Sequence, residues 1–108
     1  MTNILNKITE AKDENTFLYQ LHEESIFDEQ LFKEYIEIIS LITSENTDRK
    51  LIATVIERNV YIVCTAIHHF LPDDLFVIKN FPSNMNEYIE QLRNENSRLL
   101  RILIQNER

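Results

Sequence analysis

Three side chains near the middle of the chain are of types that do chemistry. Cys64 and His68 stand four residues apart, so on a helix they share a face, and His69 follows directly. Asp73 and Asp74 come just beyond Pro72. A thiol, an imidazole and a carboxylate are zinc ligands, and a thiol beside an imidazole is a nucleophile pair. The competing reading is a small apolar cysteine inside a core and two histidines at a helix C-terminus, where partial positive charge suits the dipole. A zinc site normally draws on a second ligand pair, and none is visible in the sequence. Carboxylates are the other candidates for chemistry, as general acid and base. Glu23–Glu24 and Asp28–Glu29 are adjacent, but adjacent helical residues point in different directions. A di-metal carboxylate bundle uses Glu-x-x-His. Three residues before His22, His68 and His69 stand Tyr19, Thr65 and Ala66, so that pattern is missing. The chain reads as a non-enzyme with no metal and no cofactor.

The elements that position these residues are helical. The 108 residues fit one domain, 1–108, and 44% hydrophobic with 27% charged residues is ordinary globular composition. Glycine is absent, which excludes glycine-rich phosphate loops and disfavours tight type I′ and II′ hairpins. Positive-φ positions are expected to fall to Asn and Asp. Thr2 to about Lys12 shows Ile4, Leu5, Ile8 and Ala11 at helical spacing, with Thr2 as its cap. Asn15 or Thr16 caps a short helix carrying Phe17, Leu18 and Leu21. After a break at Ser25–Phe27, Asp28 caps an amphipathic helix reaching Thr43. Its Leu31, Tyr35, Ile38 and Ile42 form one stripe, and Glu29, Lys33 and Glu37 lie opposite, where Lys33 can pair with either neighbour.

Asn46, Thr47 or Asp48 caps a long helix to about Phe70. Its apolar residues cover most of the circumference, the pattern of a buried central helix, and a strand through Val60–Ile67 is the alternative. Residues 75–81 read as helix, 3₁₀ turn or extended connector. Ser83 or Asn84 caps the last helix, with an apolar seam from Met85 to Leu103 interrupted by Asn96, and a basic bias from Arg93, Arg98 and Arg101. The fold class is all-α, a single-domain bundle of about five helices around the long one.

No basic stretch followed by an apolar core opens the chain, and the longest apolar-leaning run, around Val60 to Leu71, contains His68 and His69 and is too short to span a bilayer, so no membrane association is expected. The single cysteine excludes an internal disulfide and fits a reducing compartment; a cytoplasmic location is the expectation.

Charge is the strongest remaining signal. The net charge is −7, and from Glu10 to Glu37 nine acids face two bases, which accounts for all of it; the remainder balances at nine and nine. Phosphate backbones are repelled by such a segment, and a basic protein is attracted. An acidic surface also serves simply to keep a helical protein soluble. Aromatics lie among the acids, with Phe17, Phe32 and part of Tyr35 assigned to the core and Tyr19 and Phe27 to the surface. An exposed aromatic rimmed by carboxylates makes a binding hot spot. The expected partner-binding set is Tyr19, Glu23, Glu24, Phe27, Asp28, Glu29, Lys33, Glu34 and Glu37.

In size, charge, helical character and the stretch HEESIFDEQLFKEYIE, the chain resembles the small, acidic, all-helical immunity proteins that neutralise bacterial toxins, nucleases above all. The resemblance implies a monomer or weak homodimer that covers the active site or substrate groove of a basic toxin domain. A nuclease must be basic to hold phosphates, so an acidic inhibitor associates fast and needs no catalytic residue. The runner-up is a homodimeric helical adaptor joined through Met85–Leu103. A third reading, a nucleic-acid mimic, differs from the first only in its target.

Overall fold

Two aspartates decide where the central helices begin. Asp28 accepts a hydrogen bond from Leu31 N–H at 3.0 Å and Asp48 accepts from Leu51 N–H at 2.8 Å. Each satisfies a donor that the first helical turn leaves without a partner. In the computed structural model, which describes residues 1–71 and 77–105, these caps open α3 (Glu29–Ile39) and α4 (Arg49–His69). α1 (Thr2–Glu10) and α2 (Phe17–Glu24) precede them and α5 (Met85–Gln105) follows. The architecture is the expected all-α bundle of five helices, with α4 continuous through Val60–Ile67 and no strand there.

Several boundaries differ from the sequence reading for local reasons. α1 starts at Thr2 itself, with Met1 in the cap position, so Thr2 does not cap it. α3 ends at Ile39, and Ile42 is nevertheless fully buried beyond it. Residues 77–81 are not helical: Phe27 N–H donates to Lys79 O at 2.9 Å and Lys79 N–H to Ser25 O at 2.7 Å, an isolated parallel bridge between Ile26 and Lys79. Residues 75 and 76 lie outside the described residues, as do Asp73 and Asp74.

The chain needs positive φ at Ala11 (56°), Ser25 (54°) and Asn80 (60°). Only Asn80 is of the expected type. Ala11 and Ser25 end α1 and α2 in the left-handed conformation that glycine usually supplies. At Ser25 the left-handed turn brings both its own N–H and that of Ile26, at 3.0 Å, back to Gln20 O, which satisfies a carbonyl at the end of α2.

α4 and α5 run antiparallel. Arg49 Nη1 at the start of α4 donates to Leu103 O near the end of α5 at 2.8 Å, and Asn59 Nδ2 donates to Asn96 Oδ1 at 2.7 Å midway. α1, α2 and α3 close the core against this pair. Its centre is aromatic: Phe17 meets Phe27 and Phe32 edge to face at 5.0 and 5.1 Å, and Tyr88 from α5 stacks on Phe27 at 5.7 Å. Burying these rings supplies the dominant favourable term of folding. A polar thread crosses the core as well. Tyr35 Oη donates to the fully buried Asn59, which is why Asn96 can interrupt the apolar seam of α5: it receives the other side of Asn59. An apolar residue at 96 would orphan a buried amide, so the pair fixes the register of α4 on α5.

Candidate partner-binding surface

The outer arc of α3 is built by what the inner arc must bury. Phe32, Tyr35 and Ile39 turn inward, which leaves Glu29, Gln30, Lys33, Glu34 and Glu37 exposed on the opposite side. At the end of α2, Glu23 and Glu24 are exposed and Tyr19 is half-buried, one turn before Glu23 on the same face. The structure thus brings Tyr19, Glu23, Glu24, Glu29, Lys33, Glu34 and Glu37 to accessible positions on two consecutive helices.

Two members of the expected set are held by the fold. Asp28 is half-buried and serves as the α3 cap. Glu29 Oε1 accepts a 2.6 Å hydrogen bond from Tyr88 Oη, which ties α3 to α5 and raises the Tyr88 phenol, chiefly through that bond. Phe27 is corrected outright. It is 1% exposed, wedged among Phe17, Phe32 and Tyr88, so it is a core residue and no surface hot spot. Sequence periodicity could not place it, because it lies in the break between helices, where no face is defined.

Among the described residues the acids of α2 and α3 have no lysine or arginine partner. Arg98 of α5 binds Glu95 of its own helix and the carbonyls of Ile42 and Ile39 at 2.7 and 2.9 Å, capping the C-terminal end of α3. Arg93 binds Glu90. Among the described residues no α5 arginine reaches an acid of α2 or α3, and Lys33 pairs with neither Glu29 nor Glu37. His22 stands 3.8 Å from Glu23 and also shares a 2.8 Å hydrogen bond with Tyr61 Oη. Upstream, Asp13 is engaged locally. The Asn15 backbone N–H, and then Lys7 at 3.3 Å, hold its carboxyl below the usual range.

The catalytic and metal candidates come apart. Cys64 is exposed and not packed in the core, contrary to the small-apolar reading. His69 is structural: its Nδ1 accepts from Ile78 N–H at 3.2 Å and its ring stacks on Phe81 at 3.9 Å. Among the described residues no group of three His, Cys, Asp or Glu is placed to hold a metal ion. A cleft of about 240 Å³ between Thr9, Leu18, His22, Arg58 and Tyr61 is smaller than common small-molecule sites. Its Arg58 Nε is committed to Thr9 O at 2.8 Å, where it helps to end α1.

Helix α4 carries a second exposed feature that sequence reading missed. Val60, Cys64 and Ile67 are exposed on α4, and Phe70 and Leu71 just past its end, although the same helix buries Val55, Asn59, Ile62 and Ala66 on its other side. Among the described residues α4 is the helix long and apolar enough to cross a membrane, yet a third of that window is inside the fold. The signal was present in the all-round apolarity of α4: a helix with neighbours on one side has no core for its other side. The seam of α5 expected to join two adaptors is, by contrast, occupied internally, with Met85, Tyr88, Leu92 and Leu99 buried.

No family model, curated protein or solved structure matches the chain.

Proposed function

We propose that the protein is an immunity-type inhibitor: a non-catalytic binder of the cytoplasm that covers the active site or substrate groove of a basic bacterial toxin domain, a nuclease for preference. One observation carries this reading. The carboxylates of Glu24, Glu34 and Glu37 are exposed and have no ion pair among the described residues, with Glu23 and the half-buried Tyr19 beside them. A solvated acid has no need of clustering, and a cluster raises its own repulsion unless a cation shares it. A nuclease surface supplies that cation, because it must attract phosphates.

The site has a division of labour. Glu23, Glu24, Glu34 and Glu37 steer encounter and pair with Lys or Arg of the partner, while Tyr19 offers apolar area with a polar tip. Asp28 and Glu29 hold the helix that presents them.

The test is capture of a basic protein from the native host at about 150 mM salt, where the Debye length is about 8 Å. The variant Glu23→Lys, Glu24→Lys, Glu34→Lys, Glu37→Lys leaves both the α3 cap and the Tyr88 bond in place. Wild type is expected to retain a basic protein and suppress its nucleolytic activity, and the variant to do neither with an unchanged helical spectrum. Equal capture by both proteins removes the acidic surface from the mechanism.

A further inference from the structure

The exposed apolar side of α4 points to a second copy of this chain as its occupant: we infer that the protein self-associates through Val60, Cys64, Ile67 and Leu71. Three observations support it. The first is spacing. Val60, Cys64 and Ile67 follow one another on α4 at intervals of four and three, the rhythm of a seam that packs against another helix, and Leu71 stands four residues on, just past the helix end. Antiparallel pairing about a two-fold axis near residue 65 sets Val60 against Leu71 of the other copy and Cys64 against Ile67.

The second is charge. From Val60 to Leu71 there is no Asp, Glu, Lys or Arg. A two-fold interface brings each patch against itself, so any charge near the axis would face its own sign. A charged partner would find no carboxylate, lysine or arginine there to pair with, whereas an identical stripe free of those charges is complementary. The same lack of Lys and Arg, with a net charge of −7, argues against an anionic bilayer as the occupant. The inner side of the helix, with Asn59 in a hydrogen-bonded network, argues against a span.

The third is area. Val60, Ile67, Phe70 and Leu71 are exposed by 50, 52, 66 and 46%. Counting each at no more than the roughly 150–250 Å² that an aromatic side chain buries, they present at most about 300–500 Å². A standard interface buries about 800 Å² per partner, and about 65% of a homodimer interface is apolar. The patch therefore fits an interface smaller than the standard one, a dimer that forms at high protein concentration.

This face and the acidic face of α2 and α3 stand on different helices, so each can fail without the other. The experiment is sedimentation equilibrium of the full chain from about 1 µM to about 500 µM, with maleimide labelling of Cys64, the chain's single thiol. The expected result is a shift from 12.9 kDa towards twice that mass, with Cys64 labelling slowed at least about fivefold where the dimer predominates. Val60→Lys with Ile67→Lys, at positions already half exposed, is expected to leave helical content unchanged and to hold the monomer mass throughout. The four-fold Glu→Lys variant of the acidic face is expected to keep the dimer. A monomer at every concentration overturns the inference. So does a dimer that survives the Val60/Ile67 variant, one that Leu100→Lys with Ile104→Lys dissociates instead, or a monomer in buffer that floats with neutral phosphatidylcholine vesicles.

Discussion

The outer faces of α3 and α4 rest on the same core and answer water in opposite ways. α3 exposes Glu29, Lys33, Glu34 and Glu37, and α4 exposes Val60, Cys64 and Ile67, with Leu71 just past its end. A charged face acts over about a Debye length and weakens with salt. An apolar face acts only on contact and does not. Two surfaces with different ranges would let one small chain meet the proposed basic partner and a second copy without competition between them.

The largest effect removes the ground beneath both. Phe32 lies under α3 and meets Phe17, Phe27 and Tyr88. Phe32→Ala is expected to destabilise the protein by about 3–5 kcal/mol, read from urea unfolding, and to abolish both proposed associations together. An unaffected midpoint would place the core elsewhere.

Asn59→Ala tests whether the two helices are held in register by the polar thread. It orphans the Tyr35 hydroxyl and the Asn96 amide, and the expected loss is about 1–3 kcal/mol. The thread also sets a pH limit. Burial pushes the Tyr35 phenol above its usual value, with the Arg58 charge opposing, and the Tyr88 phenol is raised by its bond to Glu29. Because the folded state holds these protons when the unfolded state has released them, their stabilisation is complete below the usual tyrosine value of about 10 and is lost as pH rises above it. Denaturation followed from pH 8 to 11, within about one unit either side of that value, should show a falling midpoint. In Tyr35→Phe the fall should be shallower.

Salt separates the two faces directly. Raising it from about 50 mM to about 500 mM shortens the Debye length severalfold. Association through the α2–α3 acids should slow by about tenfold or more, while the dimer mass at fixed protein concentration holds or rises. Parallel weakening of both would mean that the α4 face is electrostatic after all.

How far these features could be read beforehand follows from their range. Asp28 and Asp48 announce helix starts through bonds three residues long, and the acids of α3 are exposed because Phe32 and Tyr35 fix the helix's rotation; both facts are local. Phe27 and Ile78 are buried by segments that meet only in the folded chain, through the Ile26–Lys79 bridge. The Asn59–Asn96 pair is likewise visible in sequence only as two unconnected polar residues. The apolarity of α4 was legible, but its sidedness depends on which neighbours exist.

The smallest effect concerns the connections. Ala11 adopts φ 56°, which disfavours any residue with a Cβ. Ala11→Gly relieves that strain at some expense in chain entropy, and a net gain of about 0.5–1 kcal/mol is expected, measured as a raised unfolding midpoint with no change at either face.

The attachment of α3 has a kinetic consequence. Tyr88 fastens its first turn through Glu29, and Arg98 grips the carbonyls of Ile39 and Ile42 past its last, both from the same rigid helix. A helix pinned at both ends surrenders little conformational freedom when it meets a ligand. Complexes formed there should be long-lived, their lifetime set by the slow parting of a ready-made surface and not by the refolding of a loose one.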